Sequence, residues 1–149
     1  MTMTPTQTLF ERAGGTPALL ATVTTFYDAV LNDVMIGYLF IRADKSRLIE
    51  KEVELASSML GAKHITYTGL SLKEAHASHR IFGGQFDRRL QLLRQAMSQH
   101  KLPQDVQDAW VSHTQALRHL ITDDTDSNCS HERAEARVKR LTAPHDPTS

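Results

Sequence analysis

Residues 50–61, EKEVELASSMLG, put three charges at the head of a stretch that otherwise reads as a buried helix. If one side of that helix faces the interior, Lys51 or Glu52 lies on or beside it, and a charge there needs a partner or a bound group that tolerates it. Other residues able to do chemistry are His76 on a short capped helix, His79 three residues on, Tyr27 on an aromatic-rich helix, and Phe40 in a tight apolar turn. A buried phenol needs a hydrogen-bond partner. Eight histidines in 149 residues is rich usage, which points to a ligand-binding imidazole without singling one out. Cysteines two apart and HExxH are both missing, so zinc sites of the common kinds are not indicated. Neither a glycine-rich phosphate loop nor a serine or cysteine nucleophile in a recognisable setting appears. These are the parts of a pocket, and periodicity alone stops at a helical bundle.

The elements that must carry these residues can be read from spacing and caps. Leu9-Phe10 opens a short helix that stops at Gly14-Gly15, and Thr16-Pro17 restarts one, with threonine as N-cap and proline at the first position. Leu20, Val23, Phe26, Tyr27, Val30 and Leu31 recur at helical spacing, which turns Tyr27 inward. Gly37 to Phe40 is a short turn, and Asp44 caps the next helix. That helix carries two stripes, Leu48/Glu52/Leu55/Met59 and Ile49/Val53/Ala56/Leu60, as expected of a helix buried on two sides. Gly61 ends it. Ser71 with Glu74 has the form of a capping box and predicts a short helix carrying Leu72, Ala75, His76 and His79. Gly83-Gly84 marks a break. Phe82, Phe86, Leu90, Leu93 and Met97 form one further stripe, Pro103 stands at the next helix start, and Val106, Trp110, His113, Leu117 and Leu120 form the last.

No alternating strand pattern or internal repeat is present, so the expected class is all-α. One domain over residues 9–122 is expected, between a flexible tail at 1–8 and a polar, mobile tail at 123–149. Seventeen basic residues balance seventeen acidic ones, and no whole-chain field draws the protein to nucleic acid or an anionic membrane. With one cysteine, Cys129, no internal disulfide forms, and no apolar run approaches a membrane span. A cytoplasmic protein is the expectation, without nucleic-acid or membrane partners.

The order of the parts resembles the group I truncated haemoglobins, short globins with a two-over-two helical sandwich around haem. LFERAGG at 9–15 looks like that family's opening helix and glycine pair, and FYDAVLND at 26–33 like its second-helix motif. The turn ending in Phe40, the KEVEL and LGA pieces, YTG at 67–69, AHASHRI with FD at 75–87, and LPQDV at 102–106 follow in the family's order. The resemblance covers about residues 9–121.

Carried over by position, the resemblance implies that His76 is the proximal ligand of haem iron, the role haem proteins give a neutral imidazole. His79 stands where the family usually has an aliphatic residue, and it would contact the haem edge or solvent. Phe40 would pack on the haem plane. Tyr27 would donate a hydrogen bond to bound dioxygen. Leu48, Leu55 and Phe86 would line the haem pocket, with Leu48 bordering the iron on the distal side. Glu52 falls where glutamine is common. A carboxylate only accepts hydrogen bonds and repels a superoxide-like oxygen, so Glu52 is protonated, paired with a cation, or turned outward.

Lys51 sits where some members place a sixth iron ligand. A lysine ligates only as the free amine, and deprotonating an ammonium of ordinary pKa, about 10.4, costs about 4.6 kcal/mol at pH 7. The alternative is a solvated lysine whose stem covers the haem edge and whose head meets a propionate. His119, sixteen residues after Pro103, falls where some relatives bond a histidine to a haem vinyl group; otherwise it faces water. The implied function is haem b with diatomic gas ligands, namely oxygen, nitric oxide and carbon monoxide. Nitric oxide dioxygenation with an unidentified reductase is one implied activity. A haem-based sensor or electron-transfer module is the alternative.

Overall fold

A computed structural model of the chain describes residues 7–69, 71, 74, 76 and 80–122. His79, most of the short helix around it, and the expected tail at 123–149 lie outside the described residues. The described elements are α1 (Leu9–Ala13), α2 (Gly15–Leu31), a 3₁₀ turn (Gly37–Phe40), α3 (Lys45–Met59), α4 (Gly83–Gln99), α5 (Gln104–Ala116) and α6 (Arg118–Ile121). No strand occurs among the described residues.

Local chemistry explains most of the boundaries. Thr8 caps α1 by accepting from the Glu11 amide at 3.1 Å. Gly14 ends it at φ 106°, a left-handed conformation that strains any residue with a side chain, and a Cβ there would come within 2.8 Å of the Ala18 Cβ. The restart differs from expectation. Gly14 itself precedes α2, which begins at Gly15, so Thr16 and Pro17 lie inside its first turn and threonine supplies no cap. Asp44 caps α3 as expected, accepting from the amides of Ser46 at 3.0 Å and Arg47 at 3.4 Å.

The fold is a two-over-two sandwich. α2 packs against α3 and α4, α5 packs against α4 and α3, and α1 closes one end against α2 and α5. Phe26, Val23 and Val30 of α2 meet Val53 and Ala56 of α3, Phe86, Leu93 and Met97 of α4, and Val106 and Trp110 of α5 in one core. The two stripes of α3 divide the work. Val53, Ala56 and Leu60 are buried in the core, whereas Leu48, Glu52, Leu55 and Met59 line a cavity. Phe82 departs from its stripe. It is the residue before α4, outside the helical register, and it is exposed. Gln85 instead satisfies that helix start by accepting from the Phe82 amide at 3.0 Å.

The turn between α2 and α3 is braced from within. Asp33 accepts from the amides of Met35 at 2.9 Å and Ile36 at 3.2 Å, and Gly37 donates to the Asp33 carbonyl at 2.9 Å. A Cβ on Gly37 would stand 2.9 Å from the Leu31 carbonyl oxygen. The absence of a side chain there lets the turn lie against the end of α2 and sets Phe40 beside Tyr27.

Candidate functional site

A cavity of about 380 Å³ opens between α2, α3, α4 and α5. Tyr27 enters it from α2, Phe40 from the 3₁₀ turn, and Leu48, Lys51, Glu52 and Leu55 from α3. His76 and Phe86 complete the expected set on its wall. His76 is half-buried and helical. The Glu74 amide donates to the Ser71 hydroxyl at 3.2 Å, the backbone half of the expected capping box.

Tyr27 is almost fully buried. Its ring meets Phe26 at 4.9 Å between centroids and stands edge-on to Phe40 at 6.3 Å and 73°. Burial, reinforced by the charge of Glu52, pushes the phenol up from 10.0 to about 12, although Arg89 nearby pulls the other way. The phenol is therefore a neutral hydrogen-bond donor at any physiological pH.

Glu52 resolves the question its position raised: it is paired with a cation. Arg89 of α4 donates from a terminal guanidinium nitrogen to Glu52 Oε2 at 3.4 Å, and both side chains are largely shielded from solvent. Arg89 also lies over the Phe26 ring, 4.8 Å from its centroid, and hydrogen-bonds Tyr27. Burial lowers the readiness of this guanidinium to stay charged, but Glu52 and Tyr27 outweigh it and hold its proton more tightly than usual.

The Lys51 ammonium lies at the cavity wall but is tied outward. It donates to Glu54 Oε2 at 3.2 Å and to the Thr68 hydroxyl at 2.6 Å. Glu54 in turn accepts from the Thr68 amide at 2.9 Å, and these contacts, led by the Thr68 hydroxyl, hold its carboxyl below the usual range. The loop after α3 is thereby pinned to the helix.

His119 is exposed, with its ring against the Ala116 carbonyl at 3.1 Å, and does not line the cavity. The reason is a break. α5 ends at Ala116, the Leu117 amide turns back to the Thr114 carbonyl at 3.1 Å, and α6 starts on a new axis. His113, still on α5, is the histidine of this helix that reaches the cavity. Sequence reasoning missed Arg47, Tyr67 and Arg89, all of which line it. For Arg89 a signal existed, since it stands between Phe86 and Leu90 on the edge of an apolar stripe, as Lys51 and Glu52 do on theirs.

The lining is mainly apolar, with one imidazole, one buried phenol, and cationic heads at Arg47 and Lys51. Among the described residues no group of three His, Cys, Asp or Glu could hold a bare metal ion. A planar apolar cofactor whose metal needs one protein nitrogen, and whose carboxylates seek cations, fits this donor set. No helix among the described residues is long and apolar enough to cross a membrane.

A family model for bacterial-like globins matches residues 8–123. The chain belongs to that family. Its curated relatives include the group 1 truncated haemoglobin GlbN of Mycolicibacterium paratuberculosis, 36% identical over 73 residues that cover 49% of this chain and 53% of the relative. The group 1 truncated haemoglobin of Tetrahymena pyriformis is 29% identical over 85 residues, 57% of this chain and 69% of that one. The chain thus spans about half the length of the mycobacterial relative it matches. Among solved structures, the ferric truncated haemoglobin of Tetrahymena pyriformis superposes with a TM-score of 0.71 at 23% identity, over 79% of this chain and all of that one. A 2/2 haemoglobin from Synechococcus, with covalently attached haem, gives 0.68 at 22% identity, over 76% of this chain and 94% of that one. The fold is that of a two-over-two truncated haemoglobin, as the resemblance in sequence implied, and the family implies haem and diatomic gas binding.

Proposed function

We propose that the chain binds haem b in the cavity and takes up oxygen, nitric oxide or carbon monoxide there. Supplied with electrons by a reductase, it oxidises nitric oxide to nitrate. The observation that carries this reading is one apolar cavity shared by a single imidazole, His76, and a buried neutral phenol, Tyr27. Haem supplies the iron that binds diatomic gases; the rest is the work of the chain. His76 holds the cofactor from the short capped helix. Phe40, Leu48, Leu55 and Phe86 exclude water, which protects the reduced state. Tyr27 donates a hydrogen bond to the gas ligand, and Glu52 stays balanced by Arg89 instead of repelling it. A cytoplasmic location suits such a reductase-fed role.

Haem titration tests the reading. The expected result is a Soret band at one equivalent, and a changed spectrum in His76→Ala. An unchanged His76→Ala spectrum would show that the imidazole is misassigned. For the activity, the oxygen-loaded protein mixed with nitric oxide should yield the ferric state and nitrate. Covalent attachment through His119 finds support in its spacing from Pro103 and in the Synechococcus haemoglobin. Acid-acetone extraction after reduction decides it, since a linked haem stays with the polypeptide.

The second reading, ligand exchange in a sensor or electron-transfer module, is favoured by the placing of Lys51. It lines the cavity while its ammonium is held by Glu54 and Thr68. Taking the sixth site on iron would release Thr68 and the loop it anchors, which couples the iron to the surface. A low-spin ferric spectrum that Lys51→Ala turns high-spin is the expected sign.

A further inference from the structure

Arg89 is the buried cation that the haem-binding reading leaves without a task of its own. It lines the cavity together with Tyr27 and Glu52, lies over Phe26, and contacts Glu52 Oε2 at 3.4 Å. Phe26 is itself against Tyr27, so the guanidinium, the two rings and the carboxylate form one packed unit. Hydrogen-bond chemistry fixes the direction of each contact inside it. A guanidinium carries five N–H donors and no acceptor, so in any hydrogen bond between Arg89 and Tyr27 the phenol oxygen accepts. Its own proton is then not used on Arg89. Glu52 could have captured that proton, but the hydrogen bond its carboxylate makes is the one from Arg89, and it acts on the phenol through charge alone. The phenolic O–H is left to point into the cavity.

We propose that Arg89 is a positioning residue for the diatomic ligand: by donating to Tyr27 and neutralising Glu52 together, it directs the Tyr27 hydroxyl proton into the cavity as the ligand's hydrogen-bond donor. It also accounts for the tolerance of a carboxylate at position 52, where a ligand with partial negative charge would otherwise be repelled. Arg89 acts through Tyr27 and does not itself replace it.

The inference rests on the haem reading, and the test separates the two. Wild-type chain without a Soret band on haem addition rejects the haem reading and this inference with it. With haem bound, Arg89→Met should speed oxygen dissociation about tenfold, the equivalent of losing one hydrogen bond. The carbon monoxide stretch should move in the direction that Tyr27→Phe moves it. Adding Arg89→Met to Tyr27→Phe should change the rate no further, because the proton to be directed is already gone. Arg89→Lys, which keeps the charge and a donor, should stay within about threefold of wild type. If Arg89→Met does not hold haem, the pair Arg89→Met with Glu52→Gln removes both charges and carries the same comparison. An unchanged rate, or rates that multiply in the Tyr27→Phe background, would overturn the proposal.

Discussion

Arg88 and Arg89 are neighbours on α4, yet each reaches a carboxylate in a different part of the molecule. Arg88 meets Asp33 at the turn after α2, with Nε and a terminal nitrogen both 2.8 Å from Oδ2, while Oδ1 takes the amides of Met35 and Ile36. Every side of that carboxylate is occupied. Although burial pushes it up, the hydrogen bonds from Arg88 and the two amides hold the Asp33 carboxyl below its usual range. Arg89 meets Glu52 by a single longer contact, and the remaining acceptor and donor capacity faces the cavity. A saturated pair staples a turn. An unsaturated one, shielded from solvent and shared with a phenol, is a site.

Breaking the cavity pair from one side should give the largest effect. Arg89→Met leaves the Glu52 charge without a counter-ion and should lower unfolding stability by roughly 3 kcal/mol in urea titrations, whereas Glu52→Gln added to it should restore more than half. Equal losses in the single and double variants would mean that packing over Phe26, and not charge, makes the contact matter.

The phenol reports on the same unit at high pH. Its folded value, about 12, lies above the ordinary 10.0 of an unfolded chain, so above pH 10.0 the unfolded state binds fewer protons and stability falls as pH rises toward 12. That contribution amounts to about 2.7 kcal/mol across the window, and Tyr27→Phe should remove it from the alkaline stability profile.

At the turn, Asp33→Ala should cost about 2 kcal/mol, the range of charge-assisted hydrogen bonds, with oxygen dissociation unchanged. A change in that rate would make the turn part of the site through Phe40. Because the folded Asp33 value is depressed, its contribution is present near neutral pH and is lost as pH falls below 3.8 through the folded value. The smallest stability effect is expected at the loop clamp. Lys51→Ala breaks a partly exposed pair with Glu54 and should cost about 1 kcal/mol or less by urea titration, even where it changes the spectrum of the haem-loaded chain.

Much of this was legible in advance because its causes are local. Asp44 caps α3, Thr8 and Gly14 bound α1, and Ser71 meets the Glu74 amide, all contacts within a few residues. The inward turn of Tyr27 followed from helical spacing alone. Phe82 was misread because a residue just before a helix does not share its register, and Thr16 because Gly14 already made the turn. The break at Leu117 parted His113 from His119 for a similar reason: a short terminal helix resets the face that periodicity had projected through it.

The amino-acid order by itself determined an all-helical chain, the sequence of its helices, and the presence of an imidazole, a phenol and two charged residues on faces turned inward. Those properties depend on backbone periodicity and on caps that act over one turn. Only the tertiary structure decided that Glu52 meets an arginine 37 residues away, that Lys51 leans toward Thr68, and that the first stripe of α3 borders a cavity while the second fills the core. Periodicity says which face is buried; which two faces meet depends on how whole helices cross, and no single helix carries that information.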